Sequence, residues 1–296
     1  MNIGFIGFGE AAYCISMGIH EQSTVPIYAY DSMESHPVKG GVIRKRAEES
    51  GVTLLPEVGD VAKKVEVLIA SVPSSYTMDV CKEVLNSLQK GQIYADVSAS
   101  TPVVKEEVWS MLEPKGILFV DAAMLGSLPQ DKHKVPITAS GNGAQAFSDL
   151  MTPFGMRITL AGDRAGAASA IKLVRSIFMK GIAACMYEML QGGDAYGVCD
   201  EVVSSISKSL DGIPFTEHMK RLVTGTSIHA VRRGAEVEGS IKMLEECGLD
   251  SSMSAATMRK HELIAEYRFA EMFASGKSGE WREIIQEMRP KNRKEV

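Results

Sequence analysis

The sequence has few cysteines and no arrangement of them. Its five thiols stand at positions 14, 81, 185, 199 and 247, with neither a CxxC pair nor a Cys/His ligand spacing. That excludes a disulfide scaffold and the usual zinc sites. The six histidines (20, 36, 133, 218, 229 and 261) are equally dispersed, so no metal is expected. Positive charge is not in excess: 32 Lys and Arg against 37 Asp and Glu give a formal charge of −5. A polyphosphate partner such as nucleic acid requires the opposite balance. The one basic cluster, Arg289, Lys291, Arg293 and Lys294, reads as a solvated tail. No apolar run approaches the ~20 residues that span a bilayer, so no membrane role is expected. Residues from Asn2 onward already read as a strand, leaving no room for a leader; with free thiols, this points to the cytoplasm. Internal repeats and low-complexity segments are missing too.

What the sequence does have is strand–helix alternation in its first half. At 296 residues the chain is long for one core, and two domains are expected. Short Val- and Ile-rich runs predict strands at Asn2–Ile6, Pro26–Tyr30, Val65–Ser71, Gln92–Val97, Ile117–Asp121, Ile137–Ser140 and Ile158–Ala161. Helix-length segments such as Glu10–His20, Tyr76–Leu88 and Pro102–Leu112 separate them. This alternation predicts a doubly wound, mostly parallel sheet over residues 1–164. Residues 165–296 show no convincing strand and are expected to form an all-α domain. Gly166–Gln191 is apolar nearly all round, which predicts a buried central helix. Further helices are expected at about 198–210, 215–231, 233–247, 252–274 and 279–288. The breaks fall at Gly192-Gly193, Gly212–Pro214, Gly248 and Gly276–Gly279.

The first strand runs into Gly7-Phe8-Gly9-Glu10-Ala11-Ala12, a GxGxxA turn followed at once by a helix. Gly7 permits the tight turn, Gly9 lets the backbone approach a pyrophosphate, and Ala12 allows close helix–strand packing. The helix N-terminus then offers free N–H groups and a positive dipole end. Asp31 closes the next strand, where a carboxylate accepts the ribose hydroxyl and repels a 2′-phosphate. The first domain is therefore read as a Rossmann dinucleotide-binding domain with NAD favoured over NADP. Arg44, Lys45 and Arg46 lie downstream and keep NADP open.

A second group of residues lies on the apolar helix. Lys172 and Ser176 are one turn apart and share a face. An ammonium on so apolar a helix is costly unless it faces a cleft or a partner. Burial and the neighbouring Arg175 would both lower its pKa, which suits general acid–base work. Arg175 and Lys180 compete for the same role, and composition does not choose among the three.

Taken in order, four blocks make the chain resemble the β-hydroxyacid dehydrogenase superfamily, which includes the 3-hydroxyisobutyrate and 6-phosphogluconate dehydrogenases. They are the GFIGFGEAA turn, Asp96-Val-Ser98-Ala-Ser-Thr-Pro102, Asp121-Ala-Ala-Met-Leu125-Gly126-Ser127, and Lys172-Leu-Val-Arg-Ser176. The chain looks closest to a branch that joins a phosphogluconate-dehydrogenase-like NAD-binding domain to a distinct helical C-terminal domain. The resemblance implies an NAD(P)-dependent oxidoreductase acting on a small hydroxyacid or related polyol or carbonyl compound, with Lys172 as general acid/base. Ser98, Gly126, Ser127 and Ser176 would hold the substrate, Val72-Pro73 would support the nicotinamide side, and the helical domain would provide substrate contacts and a homodimer interface. Three positions depart from the family pattern: Leu125 for a substrate-binding serine, Ser127 for a glycine and Ser176 for an asparagine. Near Arg232-Arg233-Gly-Ala235-Glu236 the acid of a Lys-Asp pair is kept and the lysine is not. These departures set the familiar substrates aside. They leave an anionic one, with Arg232 as a possible clamp. An imine-reductase-like enzyme and a non-catalytic cofactor-binding sensor are the rival readings.

Overall fold

The computed structural model describes residues 1–274 and 279–290. Lys291, Arg293 and Lys294 of the basic cluster, and Gly276 of the last expected break, lie outside the described residues. By contacts the chain divides into two compact units, Met1–Ile177 and Phe178–Val296.

The first unit is built on eight strands: β1 (Ile3–Ile6), β2 (Ile27–Tyr30), β3 (Thr53–Leu54), β4 (Val67–Ala70), β5 (Ile93–Asp96), β6 (Leu118–Met124), β7 (Ile137–Ser140) and β8 (Ile158–Leu160). They form one sheet in the order β3-β2-β1-β4-β5-β6-β7-β8. Every neighbouring pair is parallel except β6 with β7. This is the expected doubly wound sheet. Only the two-residue β3 went unread, being too short to carry a period.

The strands read as continuous apolar runs because both sheet faces are covered. Ile3, Phe5, Val67, Ile69, Ile93 and Ala95 point into one core. Ile6, Leu68, Ala70 and Tyr94 point into the other. The helices that cover the sheet are α1 (Glu10–His20), α2 (Lys39–Ser50), α3 (Val58–Lys64), α4 (Thr77–Val84), α5 (Pro102–Leu112), the short α6 (Leu128–Asp131) and α7 (Ala144–Met151).

Helix α8 (Ala167–Tyr196) starts in the first unit and ends in the second. It was expected to be buried and to stop at Gly192-Gly193. Instead it runs through both glycines. Gly192 lies against Leu244, and a Cβ on Gly193 would sit 3.3 Å from the Cys199 backbone. Close approach by neighbouring chain offsets the ~1 kcal/mol that a helix-interior glycine costs. The burial expectation also fails in the single chain: Ile177 is 76% and Tyr187 74% exposed, with Val174, Phe178 and Met186 also open. Hydrophobicity all round a helix predicts burial, and the single chain does not supply it along this length.

The second unit holds the rest of α8 with α9 (Cys199–Leu210), α10 (Phe215–Glu246), α11 (Ser252–Ala265), α12 (Phe269–Ala274) and α13 (Trp281–Glu287). No strand occurs after Gly166 among the described residues. The expected helices 215–231 and 233–247 together make up α10, in which two helical stretches meet at a kink at His229 (φ −114°, ψ 22°), close to the expected division. The expected helix 252–274 is two, separated at Arg268, whose φ is +52°. The buried carboxylate of Glu188 on α8 accepts the amides of Met253 and Ser254, both at 2.8 Å, and so caps α11.

Candidate functional site

The dinucleotide turn is shaped as its sequence requires. Gly7 has φ +83°, and a Cβ there would meet the Ser71 carbonyl oxygen at 2.5 Å. No side chain fits. Gly9 differs: a Cβ on it would meet nothing within 4 Å. It is the N-cap of α1 and has no side chain to occupy the first-turn amides of Glu10 and Ala11. Ala12 is fully buried where α1 meets the sheet, and Phe8 is buried beside it. The space over Gly9 and the uncapped helix end fit a pyrophosphate.

Asp31 follows β2 and accepts the Phe8 amide at 2.7 Å and the Met33 amide at 2.8 Å, one on each carboxylate oxygen. A carboxylate has about four acceptor positions, so two remain for a ribose diol. The three basic residues that kept a 2′-phosphate open all have partners. Arg44 pairs with Glu34 at 2.9 Å, Lys45 pairs with Glu49 at 3.8 Å, and Arg46 lies 5.9 Å from the centre of the Tyr13 ring.

At the carboxyl end of β5, Asp96 stands in register beside Asp121 of β6. Both carboxylates are fully buried, and between them lies Lys105 of α5, itself 0% exposed. Its ammonium is 3.0 Å from Asp96 Oδ2 and 3.5 Å from Asp121 Oδ1. It also donates to the carbonyls of Asp96 (2.9 Å) and Ser98 (3.1 Å). Sequence reasoning missed Lys105, although a signal was present. On α5 it shares one face with the buried Val108 and Leu112, and a lysine inside an apolar stripe requires buried counter-charges.

Asp121 has a second role. Its Oδ2 accepts the Ser169 amide at 2.8 Å and its Oδ1 the Ser169 hydroxyl at 2.7 Å. Ser140, the register partner of Asp121 on β7, accepts the Ala168 amide at 3.0 Å. Two N–H groups that a helix start leaves without internal partners are thus met by two adjacent strands. Lys172 and Ser176 follow on the next turns, both half-buried, while Arg175 and Lys180 are exposed. Lys172 is held by a further interaction within the protein.

Ser98 sits just beyond β5, its amide bonded to Asp96 Oδ1 at 2.8 Å. Its hydroxyl is buried in a ring with Thr77 (2.9 Å) and Ser100 (2.9 Å), which are themselves 2.6 Å apart. Thr77 and Ser100 were not anticipated. Val72 and the exposed Pro73 leave β4 at the same sheet edge, and Gly126 and Ser127 are exposed just past β6. Arg232 belongs to the second unit, where it pairs with Glu236 one turn on along the exposed face of α10. Arg233 beside it donates to Thr226 at 2.6 Å. Among the described residues, no group of His, Cys, Asp and Glu could hold a metal ion, and no helix is long and apolar enough to cross a membrane.

The sheet order, the glycine turn and the uncapped α1 define a dinucleotide-binding α/β protein. Residues 2–162 match the NAD binding domain of 6-phosphogluconate dehydrogenase, and residues 194–264 match a domain of unknown function (DUF1932). The first match spans more than half of the chain, and the protein belongs to that NAD-binding family. An uncharacterized 28.5 kDa protein of Methanothermus fervidus is 29% identical over 266 residues, 90% of this chain and 100% of that one. Mitochondrial 3-hydroxyisobutyrate dehydrogenase of Drosophila melanogaster is 24% identical over 213 residues, 69% of this chain and 63% of that enzyme. A reductive aminase of Aspergillus terreus, solved with NADPH, superposes with a TM-score of 0.73 over 97% of this chain and 99% of that one. Its identity of 13% makes that likeness one of fold alone. The chain thus carries an NAD(P)-binding fold of the hydroxyacid-dehydrogenase type.

Proposed function

We propose that the protein is an NAD-dependent oxidoreductase that interconverts a small anionic hydroxyacid, or a related polyol, and its carbonyl form. Lys172 is its general acid/base. One observation carries this reading: the start of α8 is anchored by Asp121 and Ser140 to the same unit that holds the glycine turn. Less than one helical turn separates that anchor from Lys172.

The nicotinamide, when bound, supplies the hydride acceptor or donor. In the oxidation direction neutral Lys172 accepts the substrate hydroxyl proton, and in reduction its ammonium returns one. Ser176, on the same face, hydrogen-bonds the reacting oxygen or steadies the lysine. The backbone at Gly126 and the hydroxyl of Ser127 hold the substrate's polar groups, Ser98 would have to open its ring with Thr77 and Ser100 to join them, and Val72-Pro73 borders the nicotinamide. Arg232 would have to exchange Glu236 for an anionic substrate group. Asp31 with its free acceptor positions, and the engagement of Arg44, Lys45 and Arg46, support NAD over NADP. The open apolar face of α8 supports a homodimer through the helical residues 165–296, which also set the substrate. Light scattering at micromolar concentration tests the dimer, and a monomer there would count against it.

An imine-reductase-like enzyme draws support from the reductive aminase fold, and a cofactor-binding sensor from the altered positions Leu125, Ser127 and Ser176. A lysine at position 172 favours alcohol or carbonyl chemistry over both. The test is a screen of hydroxyacids with NAD and NADP, read by nicotinamide absorbance, followed by Lys172→Ala. Loss of turnover by about 10²-fold or more supports the assignment; near wild-type turnover overturns it.

A further inference from the structure

Lys105, Asp96 and Asp121 are all fully buried and belong to neither the cofactor turn nor the proposed proton transfer. Two carboxylates in register on neighbouring parallel strands repel each other, and one ammonium formally balances only one of them. The surplus falls at the start of α8, where Asp121 meets the Ser169 amide and hydroxyl and the positive end of the helix dipole. The same ammonium holds the carbonyl of Ser98, while Asp96 Oδ1 holds its amide. One buried cation therefore ties together the strand end that presents Ser98 and the helix start that presents Lys172.

We propose that Lys105, acting through Asp121, is a positioning residue for the acid–base lysine and keys the Ser98 and Lys172 sides of the site to a single buried charge. The inference rests on the functional reading of Lys172 given above. Its local claim concerns the fixed start of α8, and that can be measured without a substrate. Ser169→Ala removes one hydroxyl bond and keeps every buried charge. Asp121→Asn removes the charge and keeps the shape. Lys105→Met removes the cation that joins the two ends.

The experiment uses the full-length protein and two readouts. The first is amide hydrogen exchange at Ala168 and Ser169. The second is the pH profile of Lys172 acetylation by acetic anhydride, read by mass spectrometry with Lys45 as internal control. Fluorescence titration with NADH and circular dichroism report whether the fold is kept. Exchange is expected to rise about fivefold in Ser169→Ala and tenfold or more in Asp121→Asn. The Lys172 acetylation profile should shift in Asp121→Asn and Lys105→Met while that of Lys45 stays put. Folded variants with unchanged exchange and an unchanged Lys172 profile overturn the proposal. If Asp121→Asn or Lys105→Met does not fold, the exchange result for Ser169→Ala decides. The outcomes separate cleanly from the functional reading: Lys172→Ala that still turns over substrate defeats that reading and leaves the exchange and labelling data standing.

Discussion

Asp121 and Ser169 lie 48 residues apart in sequence and are joined by two hydrogen bonds, from the serine amide and from its hydroxyl. The contact seats a helix against the middle of β6 by giving its first turn an acceptor that the helix cannot supply itself. Glu188 does the same for α11 within the helical unit, accepting the amides of Met253 and Ser254. In both places a buried carboxylate from another element does what a local Ser or Asp cap commonly does.

Removing the cation beside Asp121 should be costly. Lys105→Met leaves two buried carboxylates side by side and should lower unfolding free energy by about 3–5 kcal/mol, measured by urea denaturation. A loss under about 1 kcal/mol would mean that the pair is not charged and compensated as the geometry requires.

The two turn glycines should separate stability from binding. Gly7→Ala places a Cβ against the Ser71 carbonyl at a φ of +83°, and a loss of about 1–3 kcal/mol is expected in thermal or urea unfolding. Gly9→Ala meets no protein atom, so its stability should stay within about 0.5 kcal/mol of wild type. Its NADH affinity should drop about tenfold or more in a fluorescence titration, because the methyl group occupies the phosphate approach. Unchanged affinity would show that the pyrophosphate does not pass over Gly9.

Stability should fall on mild acidification. Burial, and then the neighbouring Lys134, hold the His133 imidazole below its ordinary value of 6.5, and burial followed by Arg233 does the same for His261. On acidification the unfolded chain takes up these protons first, so the contribution is complete above 6.5 and is lost as pH falls toward the folded-state values. His133→Gln should flatten the slope of Tm against pH between about 7 and 5. An unchanged slope would locate the sensitivity elsewhere.

The thiols should react in a fixed order. Cys185 and Cys247 are exposed, whereas Cys14 and Cys81 are buried. Burial, with a lesser push from Asp96, raises the Cys81 thiol to about 12. With a disulfide reagent near pH 8, Cys185 and Cys247 should be modified first and Cys81 only after denaturation. Dimerisation over α8 predicts that Cys185 slows as protein concentration rises while Cys247 does not. Rapid modification of Cys81 in the native protein would contradict its burial.

The strands and the glycine turn could be read from the sequence because each is a local rule: a run of Val and Ile, or a glycine that no other residue can replace. The rest depends on partners distant in sequence. Gly192 and Gly193 read as a break because sequence shows their cost and not the neighbouring chain that approaches them. Arg268 gave no warning of its positive φ. Lys105 was less legible because it lies on an ordinary amphipathic helix, whereas the most apolar helix carries a lysine that is only half-buried. Ser98 was legible as part of a block, but its ring with Thr77 and Ser100 was not, since those hydroxyls meet only after β4 and β5 have paired. The exposure of α8 was hidden for a similar reason: an apolar pattern states what a helix prefers and not which neighbours the fold brings to it.

The division between Ile177 and Phe178 falls after Lys172 and Ser176 and before most of α8. The glycine turn, the buried ion group and the acid–base candidate thus lie in one continuous stretch of sequence. Because the boundary lies inside the continuous helix α8, a chimera joined there would carry this protein's cofactor turn and lysine in one segment and would have to keep the helix in register across the join.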